Sequence, residues 1–163
     1  MLCYNIYFYD RTGCIFYHEW LRPKPVKQGA GTLEDDQKQM FGLCWTLSNF
    51  CAALDPKGTD KPQLGAPRRI GQGCQFRSFT ANNYKLHFLE TPSGYKVVLN
   101  TSQDVGSLQE TLAAVYDELL VARCIRSPLY KGPGQPIPNP EGFRGALSQL
   151  LRMRGVLPAS QSA

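Results

Sequence analysis

Side chains alternate with a period of two residues at the beginning of the chain. Tyr4, Ile6 and Phe8 fall on one face of an extended segment, and the residues between them fall on the other. This alternation and its aromatic content predict a β-strand. Residues 10–13 have the composition of a tight turn, and the alternation then resumes over residues 14–20. The chain therefore begins with a predicted β-hairpin.

A helical period replaces the alternation in the next predicted unit. Apolar side chains recur at steps of three and four residues, at Met40, Leu43, Leu47, Phe50 and Leu54. Acidic residues at positions 34–36 precede them, where the helix dipole favours negative charge. The pattern predicts a first helix over residues 35–54. Residues 55–73, here called the insertion loop, are rich in Pro and Gly and lack any period, which predicts an exposed loop.

Three strands and two helices complete the predicted set. The strands are the alternating segments 74–80, 84–91 and 95–101. Ser107 and Glu110 have the spacing of a capping box, which predicts a second helix that ends before Pro128. Asn139, followed by Pro140, predicts the start of a third helix. The apolar face of this third helix comprises Phe143, Leu147, Leu150 and Leu151.

The predicted order of elements is β-β-α-β-β-β-α-α. Hairpin and meander connections make the strand pairs antiparallel, and helices on both faces of the sheet would bury every apolar stripe. A chain of 163 residues fits one α/β (α+β) domain, which we place at residues 1–157. Residues 158–163 are predicted to form a flexible C-terminal tail, and residues 22–31 a loop broken by Pro and Gly.

The formal charge of +5 changes this picture little, because the basic residues are scattered along the chain. The hydrophobic fraction of 42% and the charged fraction of 19% are typical of a globular protein. Without a long basic run, the sequence argues against nucleic-acid binding. The N-terminus lacks a signal-peptide pattern, and no apolar run reaches the ~18 residues of a membrane span. We therefore expect a cytoplasmic protein.

Candidate chemistry is sparse. The 6 cysteines include no Cys-x-x-Cys pair, and His18 and His87 are far apart in sequence, so no metal or cofactor is predicted. The cysteines suit reduced thiols that fill apolar space. His87 alternates out of phase with the apolar residues of its strand, which predicts a position on the sheet surface. No pattern brings a base to a nucleophile and no phosphate-binding loop is present, so no catalytic residue is predicted.

The first helix is apolar on two sides. At about 100° per residue, the stripe that starts at Met40 occupies one face, which we assign to the chain's own sheet. A second stripe, roughly opposite, comprises Phe41, Trp45, Ser48 and Ala52. A helix that is apolar on two faces is either fully buried or docked to another protein. The second stripe is therefore the candidate partner interface; the alternative is that Trp45 lies under the chain's own insertion loop.

Several segments together resemble a known family. The hairpin at residues 4–13, the stretch Glu19-Trp20 and the block at residues 84–101 are similar to the subunit 1 family of the trafficking protein particle (TRAPP) complex. Ser127-Pro128-Leu129, followed by Gly134-Gln135, resembles that family's exit from the second helix. The resemblance covers nearly the whole chain. It thins at residues 58–73, which resemble an insertion into a short family loop, and after Met153.

This resemblance implies a longin-like (SNARE-like) fold, with a five-stranded antiparallel sheet, one helix on one face and two on the other. It implies a subunit of a stable hetero-oligomer that is peripheral at the cis-Golgi and endoplasmic reticulum. The partners would be other TRAPP subunits and, through the assembled complex, a Rab-family GTPase and the membrane surface. The complex is a guanine-nucleotide exchange factor of endoplasmic-reticulum-to-Golgi transport, and exchange is shared among subunits, so the resemblance assigns no catalytic residue here.

Two alternative functions remain open at this point. One is another longin-type trafficking protein, such as a different tethering subunit, an adaptor small chain or a SNARE regulatory domain. A SNARE would also need a heptad helix and a membrane anchor, which this sequence lacks. The other is a small basic nucleic-acid-binding domain, whose binding would weaken as salt rises. Co-purification with other TRAPP subunits would favour a subunit of the tethering complex over both alternatives.

Overall fold

The strands and helices follow the predicted order. The computed structural model describes residues 3–21 and 33–158, so the predicted loop at 22–31 and all of the predicted tail except Pro158 lie outside the described residues. The elements are β1 (Cys3–Tyr9), β2 (Ile15–Trp20), α1 (Leu33–Ala53), β3 (Ser78–Thr80), β4 (Lys85–Glu90), β5 (Lys96–Thr101), α2 (Gln109–Ala114), a π-helix (Val115–Ile125) and α3 (Pro140–Met153). The π-helix continues α2 directly, so the two together occupy the place of the predicted second helix.

The five strands form one antiparallel sheet in the order β2-β1-β5-β4-β3. The first strand lies inside the sheet, because it pairs with β2 on one side and with β5 on the other. Asn5 lies opposite Asn100, whose side-chain amide donates a 2.7 Å hydrogen bond to the Asn5 side chain. The antiparallel α+β fold is therefore confirmed.

The third strand is shorter than predicted. Residues 74–80 alternate, but only Ser78–Thr80 pair as a strand. The beginning of the segment is held at the end of α1 instead, because the thiol of Cys74 donates a 2.7 Å hydrogen bond to the backbone oxygen of Cys51. Phe76 nevertheless turns inwards and is buried. Contact with the helix thus overrides the strand pattern at this edge of the sheet.

Helices cover both faces of the sheet and produce two cores. Tyr7, Tyr9 and Phe88 lie on the face that α1 covers. Ile6 and Phe8 lie on the opposite face, with α2, the π-helix and α3. Because successive side chains of a strand point to opposite faces of the sheet, alternate side chains of β1 pack in different cores. One helix on one face and two on the other is the arrangement that the family resemblance implied.

The two later helices begin differently. Leu108, not Ser107, precedes the first turn of α2 and makes no side-chain cap, so the predicted capping box is wrong. The Gln109 side chain donates a 3.0 Å hydrogen bond to the backbone oxygen of Phe88, which fixes the start of α2 on the sheet. At α3 the prediction is confirmed, because the Asn139 side chain accepts a 3.2 Å hydrogen bond from the Gly142 amide. The predicted apolar face of α3 is buried as well.

Candidate protein-interaction surface

Small side chains bring α1 close to the sheet. Cys44, Ser48 and Ala52 are buried at 1%, 4% and 0% exposure. Cys44 packs with the aromatic rings of the sheet, whereas Ala52 lies against Gly73 of the insertion loop. Small residues let neighbouring segments approach the helix without clashes. The Tyr9 hydroxyl donates a 3.0 Å hydrogen bond to the backbone oxygen of Gln37, which anchors the first half of the helix. The sheet-facing side of α1 is therefore the side with small residues.

This placement corrects part of the predicted interface. Ser48 and Ala52 were expected to face a partner, but the chain's own residues cover them. Phe41 is half-buried, with its ring centroid 5.4 Å from that of Tyr9. Trp45, by contrast, is 49% exposed. Periodicity identified two stripes on α1 but could not show that the stripe with smaller residues packs on the sheet.

The other stripe supplies most of the exposed apolar surface of α1. Met40, Leu43 and Leu47 are half-buried at the edge of the core. Phe50 and Leu54, one helical turn apart, are 45% and 66% exposed. Large apolar side chains that cluster on the surface mark interaction sites more often than isolated ones do. We call Trp45, Phe50 and Leu54 the exposed apolar residues of α1.

The insertion loop lies beside α1. The backbone amide of Arg68 donates a 3.2 Å hydrogen bond to the Asn49 side chain. The Arg68 guanidinium also forms an ion pair with Glu90, and the Lys96 amine lies 3.7 Å from the same carboxylate. These contacts fix the end of the loop between α1 and the sheet. The loop does not cover Trp45, because this side chain is 49% exposed. This exposure contradicts the alternative in which Trp45 lies under the insertion loop.

The structure buries the histidine that the sequence placed on the surface. His87 is 1% exposed, and its Nε2 atom lies 3.0 Å from the Thr101 hydroxyl. Burial, with a smaller contribution from the charge of Lys85, lowers the pKa of His87 to about 4. The sequence interpretation was wrong because both faces of β4 are covered, so alternation on this strand does not separate inside from outside.

The cysteine thiols differ in exposure: Cys3, Cys44 and Cys124 are buried, whereas Cys14 is exposed. All six cysteines are free thiols, and burial raises the pKa of Cys44 to about 12. Within residues 3–21 and 33–158, no group of three or more His, Cys, Asp or Glu side chains is placed to hold a metal ion. None of the helices in that part of the chain is long and apolar enough to cross a membrane.

A sheet with one helix on one face and two on the other is the arrangement of the longin-like fold. The model of the Sybindin-like family matches residues 3–154, and the chain belongs to this family. It is 33% identical to the trafficking protein particle complex subunit 1 of Rattus norvegicus over 153 residues, 93% of each chain. The Homo sapiens protein of the same name is 32% identical over the same length. The transport protein particle subunit bet5 of Schizosaccharomyces pombe is 30% identical over 142 residues, 80% of each chain.

Proposed function

We propose that this chain is a subunit of a TRAPP tethering complex, in the position that subunit 1 occupies. The observation that carries the proposal is the match to proteins named subunit 1 over 93% of both chains. A match of that extent leaves little of either chain for a separate function. The exposed apolar residues of α1 provide a surface that suits permanent contact with a neighbouring subunit.

The finer part of the proposal concerns the role of the complex. The chain is a non-catalytic subunit that contributes to a Rab GTPase-binding platform in a multi-subunit guanine-nucleotide exchange factor. It works in endoplasmic-reticulum-to-Golgi transport and reaches the membrane only through the complex, as a peripheral protein at the cis-Golgi and endoplasmic reticulum. Support comes from the family resemblance to proteins named as subunits of this complex.

The partner contact is proposed for the exposed side of α1. Trp45 is its centre, because an aromatic ring that is half-exposed in the isolated chain gains most from desolvation in an interface. Phe41 supports it from the edge of the chain's own core. Phe50, and Leu54 just after the helix, belong to the roughly opposite stripe and form a separate exposed apolar area. Ser48 and Ala52 take no part, because they are already buried.

Affinity purification of the tagged full chain, followed by mass spectrometry, tests the assignment. We expect other TRAPP subunits to co-purify in fixed ratios that persist through size-exclusion chromatography. Recovery of the chain alone, or with adaptor or SNARE proteins instead, would overturn the assignment. A salt titration with a labelled oligonucleotide covers the remaining alternative, and we expect no binding above that of an acidic control protein.

A further inference from the structure

A cavity of about 260 Å³ opens beside Trp45. Four parts of the fold surround it: the β1–β2 turn, α1, the end of the insertion loop and the adjoining ends of β4 and β5. The fold does not need this space, because the two cores lie on either side of the sheet. Its position between the insertion loop and the exposed side of α1 makes it reachable by a docked protein.

The wall of the cavity is predominantly positive. Arg11, Arg68 and Lys96 contribute three positive charges to it, and Glu90 contributes the one negative charge. Arg68 and Lys96 share Glu90, so that carboxylate cannot neutralise both of them. Within the described ranges, Arg11 has no ion pair or hydrogen-bond partner for its side chain. The positive charges that line the cavity are therefore not fully neutralised, and they can bind an anion.

A second observation points to a ligand independently of charge. Ser48 lines the cavity and is 4% exposed, and its hydroxyl has no hydrogen-bond partner among the described residues. Buried hydroxyl groups are nearly always hydrogen-bonded. Rotation of the Ser48 side chain would turn this hydroxyl towards the cavity, where a ligand oxygen would supply the missing acceptor. A carboxylate suits that role, since it accepts from hydroxyl, guanidinium and ammonium donors together.

The rim decides which anion fits. Trp45 and Ile70 line the cavity as well, and they are 49% and 50% exposed. A phosphate carries no apolar group beside its charge and would gain nothing from such a rim. We infer that the cavity binds a glutamate or aspartate side chain from an acidic segment of a partner protein, with the partner's neighbouring apolar residue against Trp45 and Ile70. The inference rests on the proposed function, because it adds the partner's chemistry to the contact at Trp45.

Nuclear magnetic resonance on the full chain tests this inference without any other subunit. The chain has 2 tryptophans, so its spectrum contains two indole N–H signals, and the Trp45→Phe variant identifies which belongs to Trp45. The probes are a short capped peptide with two glutamates between leucines, a matched peptide with glutamines, and inorganic phosphate. We expect the glutamate peptide to shift the Trp45 signal to saturation and the other two probes to leave it in place.

Charge variants locate the site. Arg11→Gln should weaken binding of the glutamate peptide about tenfold, the loss typical of a hydrogen bond to a charged group. Arg126→Gln is the matched control, since it removes the same charge from an exposed residue outside the cavity and should leave binding unchanged. Glu90→Gln should strengthen binding, because it frees Arg68 and Lys96 for the ligand. A merely structural role for these residues would not produce that gain.

Three results would overturn the inference. They are equal shifts with the glutamine peptide, equal effects of Arg11→Gln and Arg126→Gln, or a shift with phosphate alone, which would make the cavity a phosphate site. Because the titration uses the isolated chain, its failure leaves the purification result, and hence the proposed function, intact. Failure of the purification with successful peptide binding would instead show an acidic partner outside the TRAPP complex.

Discussion

The carboxylate of Asp10 accepts a hydrogen bond from the backbone amide of Gly134, 124 positions further along the chain. Its other oxygen accepts hydrogen bonds from the backbone amides of Thr12, at 2.8 Å, and Cys14, at 3.1 Å. Burial opposes ionisation of this group, but the hydrogen bonds outweigh it and lower the pKa of Asp10. One charged side chain thus joins the first hairpin to the loop that precedes α3.

Asp10→Ala should lower the free energy of unfolding by about 3 kcal/mol, because buried amides would lose their acceptor. Urea denaturation at pH 7 measures the change. Asp117→Ala, at an exposed helical position, is the control and should have little effect. The depressed pKa means that Asp10 contributes stability above its unfolded pKa of about 3.9, and that this contribution disappears as pH falls through the folded value. A cost below 1 kcal/mol for Asp10→Ala would contradict the assigned role.

Stability should fall as pH falls from 6.5 towards 4, because of His87. In this window the unfolded chain binds a proton on this residue, whereas the folded chain, with a His87 pKa of about 4, does not. Unfolding is therefore favoured by about 1.4 kcal/mol per pH unit. Urea denaturation at pH 7, 6 and 5 gives the slope. His87→Gln, which can still bond Thr101, should flatten it. Equal slopes for the parent chain and His87→Gln would refute the explanation.

The insertion loop should depend on Gly73. Its φ is +69°, and an added Cβ would lie 2.9 Å from the Cβ of Ala52 in α1. Gly71, with φ +82° and no atom within 4 Å of an added Cβ, shares the backbone conformation without the crowding. We expect Gly71→Ala to cost about 1 kcal/mol of stability and Gly73→Ala about 2 kcal/mol more. Thermal unfolding compares them, and equal costs would show that Gly73 is not packed on the helix.

Trp45→Asp should prevent entry into the complex while the isolated chain still folds. A charged side chain at the centre of a desolvated interface removes the contact of an aromatic residue, which is commonly worth about 2–4 kcal/mol. The measurement is recovery of other subunits on the tagged variant, with circular dichroism as the folding check. Leu129→Asp is the matched control, since Leu129 is 72% exposed and lies outside α1. Normal assembly of Trp45→Asp would disprove the proposed contact.

The isolated chain should not accelerate nucleotide release from a Rab GTPase, whereas the assembled core should. The proposed function places exchange in the assembly of several subunits. Release of fluorescent GDP measures both samples. Exchange by the single chain would contradict the prediction, and so would full activity of a core that lacks it.

The sequence predicted the elements better than their orientation. Alternation identified β1, β4 and β5 because each side chain on a strand has a fixed face. The register that places Asn5 beside Asn100 could not be predicted, since it depends on residues far apart in sequence. The start of α2 was missed because Gln109 bonds to the sheet, a tertiary contact with no local signal.

The candidate surface was predicted in part. The double apolar pattern singled out α1, and Trp45 is exposed as expected. Which stripe faces the sheet depends on how closely the helix approaches, and hydrophobicity alone does not distinguish Ser48 from a surface residue. The cavity beside Trp45 was not predicted, because Arg11, Arg68 and Lys96 come from three separate segments that only the fold brings together.

The interior position of β1, between β2 and β5, sets the order of events while the chain is being synthesised. β1 can pair with β2 early, but its other edge waits for β5, since Asn5 and Asn100 are 95 positions apart. Until then Ile6 and Phe8, which become fully buried, have no core to enter. Pairings of such long range slow folding and prolong the exposure of apolar strands. The cellular supply of this protein should therefore depend on chaperones that shield its N-terminal hairpin until the ribosome delivers the last strand.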